Sequence, residues 1–369
     1  METSGATSGG TRAAAARCGL ALRAALAALA FAVLPACAPP PPVGTAAPRV
    51  MTPLEESLHA HVAVLASDDF AGREVGTIGE GRTLTYLQDE MAAMGLKSGT
   101  HDPANPWREP VDYGRGGGQV RTHNLIARLA GSEPQAGAVL LIAHWDHLGY
   151  GSRCRAVGDD TICNGAADNA SGLAMMLEIA RTLSAGPRLR RDVYFLATGG
   201  EEDGLKGASA FVADPPVPLE KFVAAFNLDT EGIAPPGAPV VILSTPTPAA
   251  IGPLDTLIRA AARDGGVTVE EPSRRNRRFL KRQDGWVFDE VGIPTVMISA
   301  AFAQKDRLRA YMRHRYHRAN DEAGTVELGA AADMVRFHSA LLSRASDPAL
   351  FPLGGGSAAR GYQLTANQH

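Results

Sequence analysis

Four short, predominantly apolar runs constrain this chain more than anything else in it: Val139 to Ala143, Val193 to Ala197, Phe222 to Leu228 and Thr295 to Ser299. Each has the length of one strand, and Val139 to Ala143 reads as a strand buried on both faces. Between and after them lie stretches with helical spacing of apolar residues, namely Ser171 to Leu183, Gly204 to Val212, Ala249 to Ala262 and Leu328 to Ser343. Strands that alternate with helices run mainly parallel, so the expected fold is α/β, with a mixed, largely parallel central sheet and helices on both faces. Thr122 to Leu129 and Val240 to Leu243 read as further strands. Leu54 to Leu65 and Gly81 to Met94 read as helices, joined by a loop carrying Gly72-Arg73 and Gly76-Thr77. Tyr113 to Val120 reads as a Gly-rich loop with no room for an inserted domain.

Three clusters of metal-binding residue types fall where these runs end: Ala143-His144-Trp145-Asp146-His147, then Gly165-Ala166-Ala167-Asp168-Asn169-Ala170-Ser171-Gly172, then Gly199-Gly200-Glu201-Glu202-Asp203-Gly204. In open α/β sheets ligands sit outside the carboxyl ends of the strands. Imidazoles and carboxylates gathered there among small residues suit hard divalent cations with open access for substrate, which points to a two-metal hydrolytic site.

The N-terminus reads as a targeting segment. Arg12, Arg17 and Arg23 lead into an Ala/Leu-rich run, Ala24 to Leu34, too short to span a bilayer. The following Leu34-Pro35-Ala36-Cys37 resembles a bacterial lipoprotein signal, which implies a lipid anchor at Cys37; plain secretion is the alternative. Residues 1–37 are thus expected to be the signal region, with a lipidated Cys37 becoming the first residue of the mature chain, 38–49 to form a Pro-rich tether, 50–348 to form a single catalytic domain, and 349–369 to form a disordered tail. An exported chain would keep Cys154 and Cys163 either as a disulfide beside the site or as two free thiols. The net charge of −3 speaks against a nucleic-acid surface, and the basic run Arg274, Arg275, Arg277, Arg278, Lys281 and Arg282 reads as a solvated loop.

Five separated motifs in order, His144-x-Asp146, Asp168-Asn169-Ala170-Ser171-Gly172, Glu201-Glu202, Asn227-Leu228-Asp229 and Tyr316-His317, resemble the M28 metallopeptidases, the zinc aminopeptidases and carboxypeptidases, over roughly Leu54 to Leu342. The resemblance implies a zinc-exopeptidase fold of the phosphorylase-hydrolase type, two co-catalytic Zn²⁺ ions and peptide substrates, in a chain expected to be monomeric. Asp168 would bridge the ions, with His144 and Asp229 completing the ligands of one and Glu202 and His317 those of the other. Glu201 would be the general base, and the Asp146 carboxylate would hold the His144 imidazole. The Asp168-Asn169 peptide bond would be cis. His61, His101, His123, His147 and His314 fall outside the motifs and are assigned structural or surface roles.

Three positions depart from the family pattern. Where many members read Ser-Asp-His, this chain has Gln283-Asp284-Gly285; where several carry a Tyr that stabilises the oxyanion, it has Leu280; and Glu231 stands at an often apolar position. Tyr316 or Tyr311 is left to supply the oxyanion donor. Two other readings of the same residues are a single-zinc glutaminyl cyclase and a non-catalytic peptide-binding lipoprotein. Retention of the His144, Asp168 and Asp229 set weighs against the first, and retention of Glu201 against the second.

Overall fold

The four apolar runs lie side by side at the centre of one sheet. A computed structural model describes residues 49–244 and 248–352 of the chain. The leader, nearly all of the Pro-rich tether with Cys37, and residues 353–369 of the tail lie outside the described residues. In chain order the elements are helices α1 (Pro53–Leu65) and α2 (Ile78–Ala93), strands β1 (Lys97–Ser98), β2 (Arg108–Arg115), β3 (Gly118–Leu129) and β4 (Ala138–His144), helix α3 (Ser171–Ala185) and strand β5 (Asp192–Thr198). They continue with α4 (Lys206–Ala213), β6 (Phe222–Asn227), β7 (Val240–Leu243), α5 (Pro248–Asp264), β8 (Val269–Glu270), α6 (Gly285–Glu290), β9 (Thr295–Ser299), α7 (Lys305–His314) and α8 (Gly329–Ala345).

The sheet order is β1-β3-β5-β4-β6-β9-β7-β8, with β2 paired to β3 at one edge. Parallel pairing holds the centre together, β5 to β4, β4 to β6 and β6 to β9, and antiparallel pairs flank it. Alternate residues of the fully buried β4 enter opposite cores. Val139 and Leu141 pack with residues of α1, α2, α3 and α8, whereas Leu140 and Ile142 pack with Phe211 of α4 and Phe288 of α6. Burial on both faces is why this strand reads as a continuous apolar run.

Two expectations change. The segment from Tyr113 to Val120 is not a loop: β2 and β3 form a long antiparallel hairpin that turns at Gly116 and Gly117, both at positive φ. Its alternation is masked by polar residues because β2 is an edge strand with one face in solvent. Nor does the tail begin at residue 349, since Phe351 is buried in the main core and its amide donates to Asp347 O.

Candidate metal centre

Register places two of the clusters and the end of β6 at one edge of the sheet. His144, the last residue of β4, pairs with Thr198 of β5, and Ile142 pairs with Asn227 of β6. The residues just beyond those ends, His144 to His147, Gly199 to Glu202 and Leu228 to Asp229, therefore emerge together.

The turn into α3 supplies the fourth segment, and each of its residues has a task. The Asn169 side chain donates to Leu228 O and accepts from the Gly172 amide, tying the turn to the end of β6. Ser171 Oγ donates to Ala167 O and accepts from the Glu231 amide. At Gly172 a Cβ would lie 2.2 Å from Asn169 Oδ1, so a glycine is required there. Asp321 Oδ2 accepts from the amides of Ala167 and Asp168, and the Asp168-Asn169 bond is cis, as the family resemblance implied.

Two groups of donor atoms result, sharing Asp168. His144 Nε2 lies 3.2 Å from Asp168 Oδ1 and 3.7 Å from Asp229 Oδ1. On the other side His317 Nε2 lies 3.1 Å from Glu202 Oε1 and 3.6 Å from Asp168 Oδ2. His317 sits at φ 58°, held by its carbonyl accepting from the Arg155 amide at 3.1 Å, with the Tyr316 ring stacked on it at 3.8 Å. Arg155 belongs to the loop that the Cys154–Cys163 disulfide closes.

His147 also belongs to this site, against its assignment to a structural or surface role. Its side chain is wholly buried, with Nδ1 2.9 Å from Glu202 Oε1 and 4.0 Å from Asp168 Oδ2. The other unassigned histidines with recorded partners pair outside the donor groups: His61 with Glu178 and Tyr86, His101 with Asp214, and His123 with Glu80.

Asp146 differs from expectation as well. The His144 imidazole is held by the backbone carbonyl of Asp146, 3.0 Å from Nδ1, whereas the Asp146 carboxylate stands 3.9 Å away. That carboxylate instead accepts from the amides of Glu201 and Glu202, at 3.1 and 3.3 Å, and so fixes the turn that carries both glutamates.

Burial pushes the Asp146 carboxyl up to about 7, Asp284 up to about 6 and Glu201 well above the usual carboxylate range. Burial alone would lower the His144 pKa, but the Asp168 and Asp229 carboxylates against it hold it well above its ordinary value. Arg73 is a fully buried cation here, and burial lowers it to about 10 despite the nearby Asp168, Asp146 and Asp321. So many buried carboxylates around one guanidinium lack positive charge. Glu202 Oε1, His317 Nε2 and both ring nitrogens of His147 are buried without a hydrogen-bond partner. Convergent, unsatisfied oxygen and nitrogen donors in an acidic pocket fit divalent cations.

The Arg73 guanidinium is also the clamp of the site. It donates to the carbonyls of Trp145 (2.9 Å), Leu65 (2.8 Å), Asn164 (2.6 Å) and Gly165 (2.9 Å), joining the loop after His144 to the turn before Asp168. Ala71, Gly72 and Arg73 all have positive φ, and a Cβ at Gly72 would lie 2.3 Å from Cys163 O. The tight Gly72-Arg73 turn thus lets the chain pass against the disulfide loop.

Beside the donors opens a cleft of about 530 Å³, including space open to solvent, lined in part by Asp168, Glu201 and Asp229. Its walls are Phe279, Met297, Phe302, Leu308, Met312 and Tyr316, and Arg282 stands at its rim. Of the two tyrosines left to act as oxyanion donor, Tyr311 is buried with its hydroxyl donating to Asp321 Oδ2, whereas Tyr316 lines the cleft. Gly285 has no space for a side chain, since a Cβ would meet Gln283 Oε1 at 2.6 Å and Thr295 Cγ2 at 2.8 Å. Glu231 lies outside the cleft wall, buried, with Oε2 accepting from Ser299 Oγ.

The sequence model of peptidase family M28 matches residues 124–342. The chain is 28% identical over 243 residues to the alkaline phosphatase isozyme conversion protein of Escherichia coli K12, covering 63% of this chain and 68% of that protein. Among solved structures it is similar to the LapA aminopeptidase of Legionella pneumophila (TM-score 0.59, 17% identity, 79% of this chain and 72% of that one). It is similar also to the glutaminyl cyclase of Porphyromonas gingivalis (TM-score 0.60, 19% identity, 78% of this chain and 97% of that one).

Proposed function

Since the chain belongs to peptidase family M28, we propose that it is an exported aminopeptidase that holds two zinc ions and removes N-terminal residues from peptides. The observation that carries this reading is the pair of donor groups that share Asp168, with Glu201 lining the same cleft.

His144, Asp168 and Asp229 would hold one ion, and Asp168, Glu202 and His317 the other. When bound, the ions would supply Lewis acidity, polarising the scissile carbonyl and making water acidic enough to attack at neutral pH. The chain's own residues do the rest. Glu201 takes the proton from the attacking water and passes it to the leaving amine, a role suited to a carboxyl whose pKa burial has raised. Asp146 keeps Glu201 in place through its amide. The Tyr316 hydroxyl, on the cleft wall, is the donor available to the oxyanion. The apolar walls accept the first side chain of the peptide, and the carboxylates lining the cleft attract its free amino group.

A cyclase with a single zinc is the second reading. The intact His144, Asp168 and Asp229 group favours two ions over one. Export rests on the leader sequence and is supported by the Cys154–Cys163 disulfide. Among the described residues no helix is long and apolar enough to cross a membrane.

The test is metal content per chain together with the products from a mixed peptide library, run with free, N-acetylated and C-amidated peptides. Two ions per chain and amino acids released only from free N-termini are expected. Release that requires a free C-terminus would make the enzyme a carboxypeptidase, and cyclisation of N-terminal Gln with one ion would select the second reading.

A further inference from the structure

His147 has no place in the ligand set carried over from the family motifs, yet it is among the most constrained side chains of the site. It follows His144 by three residues, on the loop that leaves β4. The His147 amide donates to Arg73 O, and its ring lies against Gly165, where a Cβ would meet Cγ and Cδ2 at 2.5 Å. The ring is edge-on to that of His317, with centroids 5.6 Å apart. With its side chain fully buried, it cannot turn toward water.

A buried histidine that only hydrogen-bonded Glu202 would aim a ring nitrogen along an N–H···O line. His147 Nδ1 approaches Glu202 Oε1 to 2.9 Å, but neither atom has a partner in hydrogen-bond geometry. His317 Nε2 approaches the same oxygen to 3.1 Å in the same unaligned way. Two imidazole nitrogens and a carboxylate oxygen that crowd together without aiming at one another are aimed at a point between them. Donors bound to one tetrahedral zinc at about 2.0–2.1 Å stand a little over 3 Å apart. The distances from His147 Nδ1 to Glu202 Oε1 and Asp168 Oδ2, 2.9 and 4.0 Å, bracket that spacing.

We propose that His147 is a further protein ligand, giving the cation beside Glu202 and His317 four protein donors while the one beside His144 and Asp229 has three. This rests on the two-ion reading above and adds an asymmetry to it. Four protein donors characterise closed sites, and three characterise sites that keep a position for substrate. The His144 side is then the one open to substrate and the weaker holder of its ion. The His147 side retains its ion and keeps the His317 segment docked.

The test reads metal, not turnover. X-ray absorption at the zinc edge of the zinc-loaded chain should count three imidazoles over two ions; a count of two overturns the proposal. His147→Asn should lower the affinity of one ion, by more than roughly the 100-fold that loss of a residue supporting a ligand costs, and leave the other ion unchanged in chelator competition. Unchanged affinity for both overturns the proposal. If the variant fails to fold, the wild-type spectrum still decides. Should the chain hold only one ion, the two-ion reading fails on its own; two imidazoles on that ion support His147 as a ligand, and one overturns the proposal, which makes the His147 side the tighter holder. A chain that binds no zinc overturns both.

Discussion

Replacing Arg73 with Met should cost this fold about 6 kcal/mol, and the structure supplies the contributions to that figure. The guanidinium makes four hydrogen bonds to backbone carbonyls from a fully buried position. Bonds from a charged donor contribute at least about 1.5 kcal/mol each, roughly 6 kcal/mol together. Against this stands the burial of the cation, which lowers its pKa from 12.5 to about 10. Each pKa unit is worth about 1.4 kcal/mol, so desolvation offsets roughly 3 kcal/mol. Met removes both contributions and leaves the carbonyls of Trp145, Leu65 and Asn164 without a donor, while Gly165 O keeps the Ala170 amide; at about 1 kcal/mol or more each, this adds roughly 3 kcal/mol to the loss. At about 2 °C per kcal/mol for a domain of this size, the melting midpoint should fall by roughly 12 °C. Thermal melts in chelator, and again in excess zinc, separate this loss from any change in metal affinity. Arg73→Lys should recover little of it, because an ammonium on a flexible stem does not match a fork that reaches four carbonyls. A Met variant that melts within about 2 °C of the wild type would refute the reasoning.

Glu201→Gln should leave ion content and melting temperature unchanged and lower turnover by about 10² to 10⁴, the usual contribution of a positioned general base; retention of most activity would remove Glu201 from that role. His338 is buried in α8 with Nδ1 donating to Met334 O, and burial lowers its pKa to about 4. The unfolded chain therefore binds a proton below about pH 6.5 that the folded chain refuses until about pH 4, and stability should fall by roughly 3 kcal/mol across that window. His338→Leu should flatten this part of the urea-midpoint profile against pH, and an unchanged slope would show that other groups produce it. Alkylation of unreduced protein should label neither Cys154 nor Cys163, and the double Ser variant should lose about 2 to 3 kcal/mol in a urea melt; two labelled thiols would contradict the bridge.

The centre of the sheet could be read from the sequence because burial on both faces leaves only apolar residues to choose from. Thus β4, β5, β6 and β9 lie within a residue or two of the runs that announced them. The hairpin of β2 and β3 was hidden because an edge strand such as Arg108–Arg115 shows its alternation only in Val111 and Tyr113, and Pro110 interrupts it. The highly charged α7 was missed for a related reason, since Leu308 and Tyr311 are its only buried residues. Within the site, motif residues were legible because chemistry fixes their type. Arg73 was not, since arginine is an ordinary surface residue and its burial is created by carbonyls from three distant segments. His147 offered one usable signal: it stands three residues after His144 in a stretch with no other reason to be polar, directly after a buried strand.

The donor atoms of the centre come from segments that run from the end of β4 to the turn after α7, with five other strands of the sheet formed in between. The group that includes His317 is complete only when that late segment docks, so its ion cannot template early structure. Until the His317 segment docks, the gathered carboxylates repel one another and work against closing the carboxyl edge. Ion binding free energy is then added to folding free energy at the last step. For a chain exported before it folds, that step takes place outside the cytoplasm. The yield of mature protein should therefore follow the zinc available in that compartment, and a chain cut before His317 should be cleared as unfolded instead of persisting as an inactive enzyme.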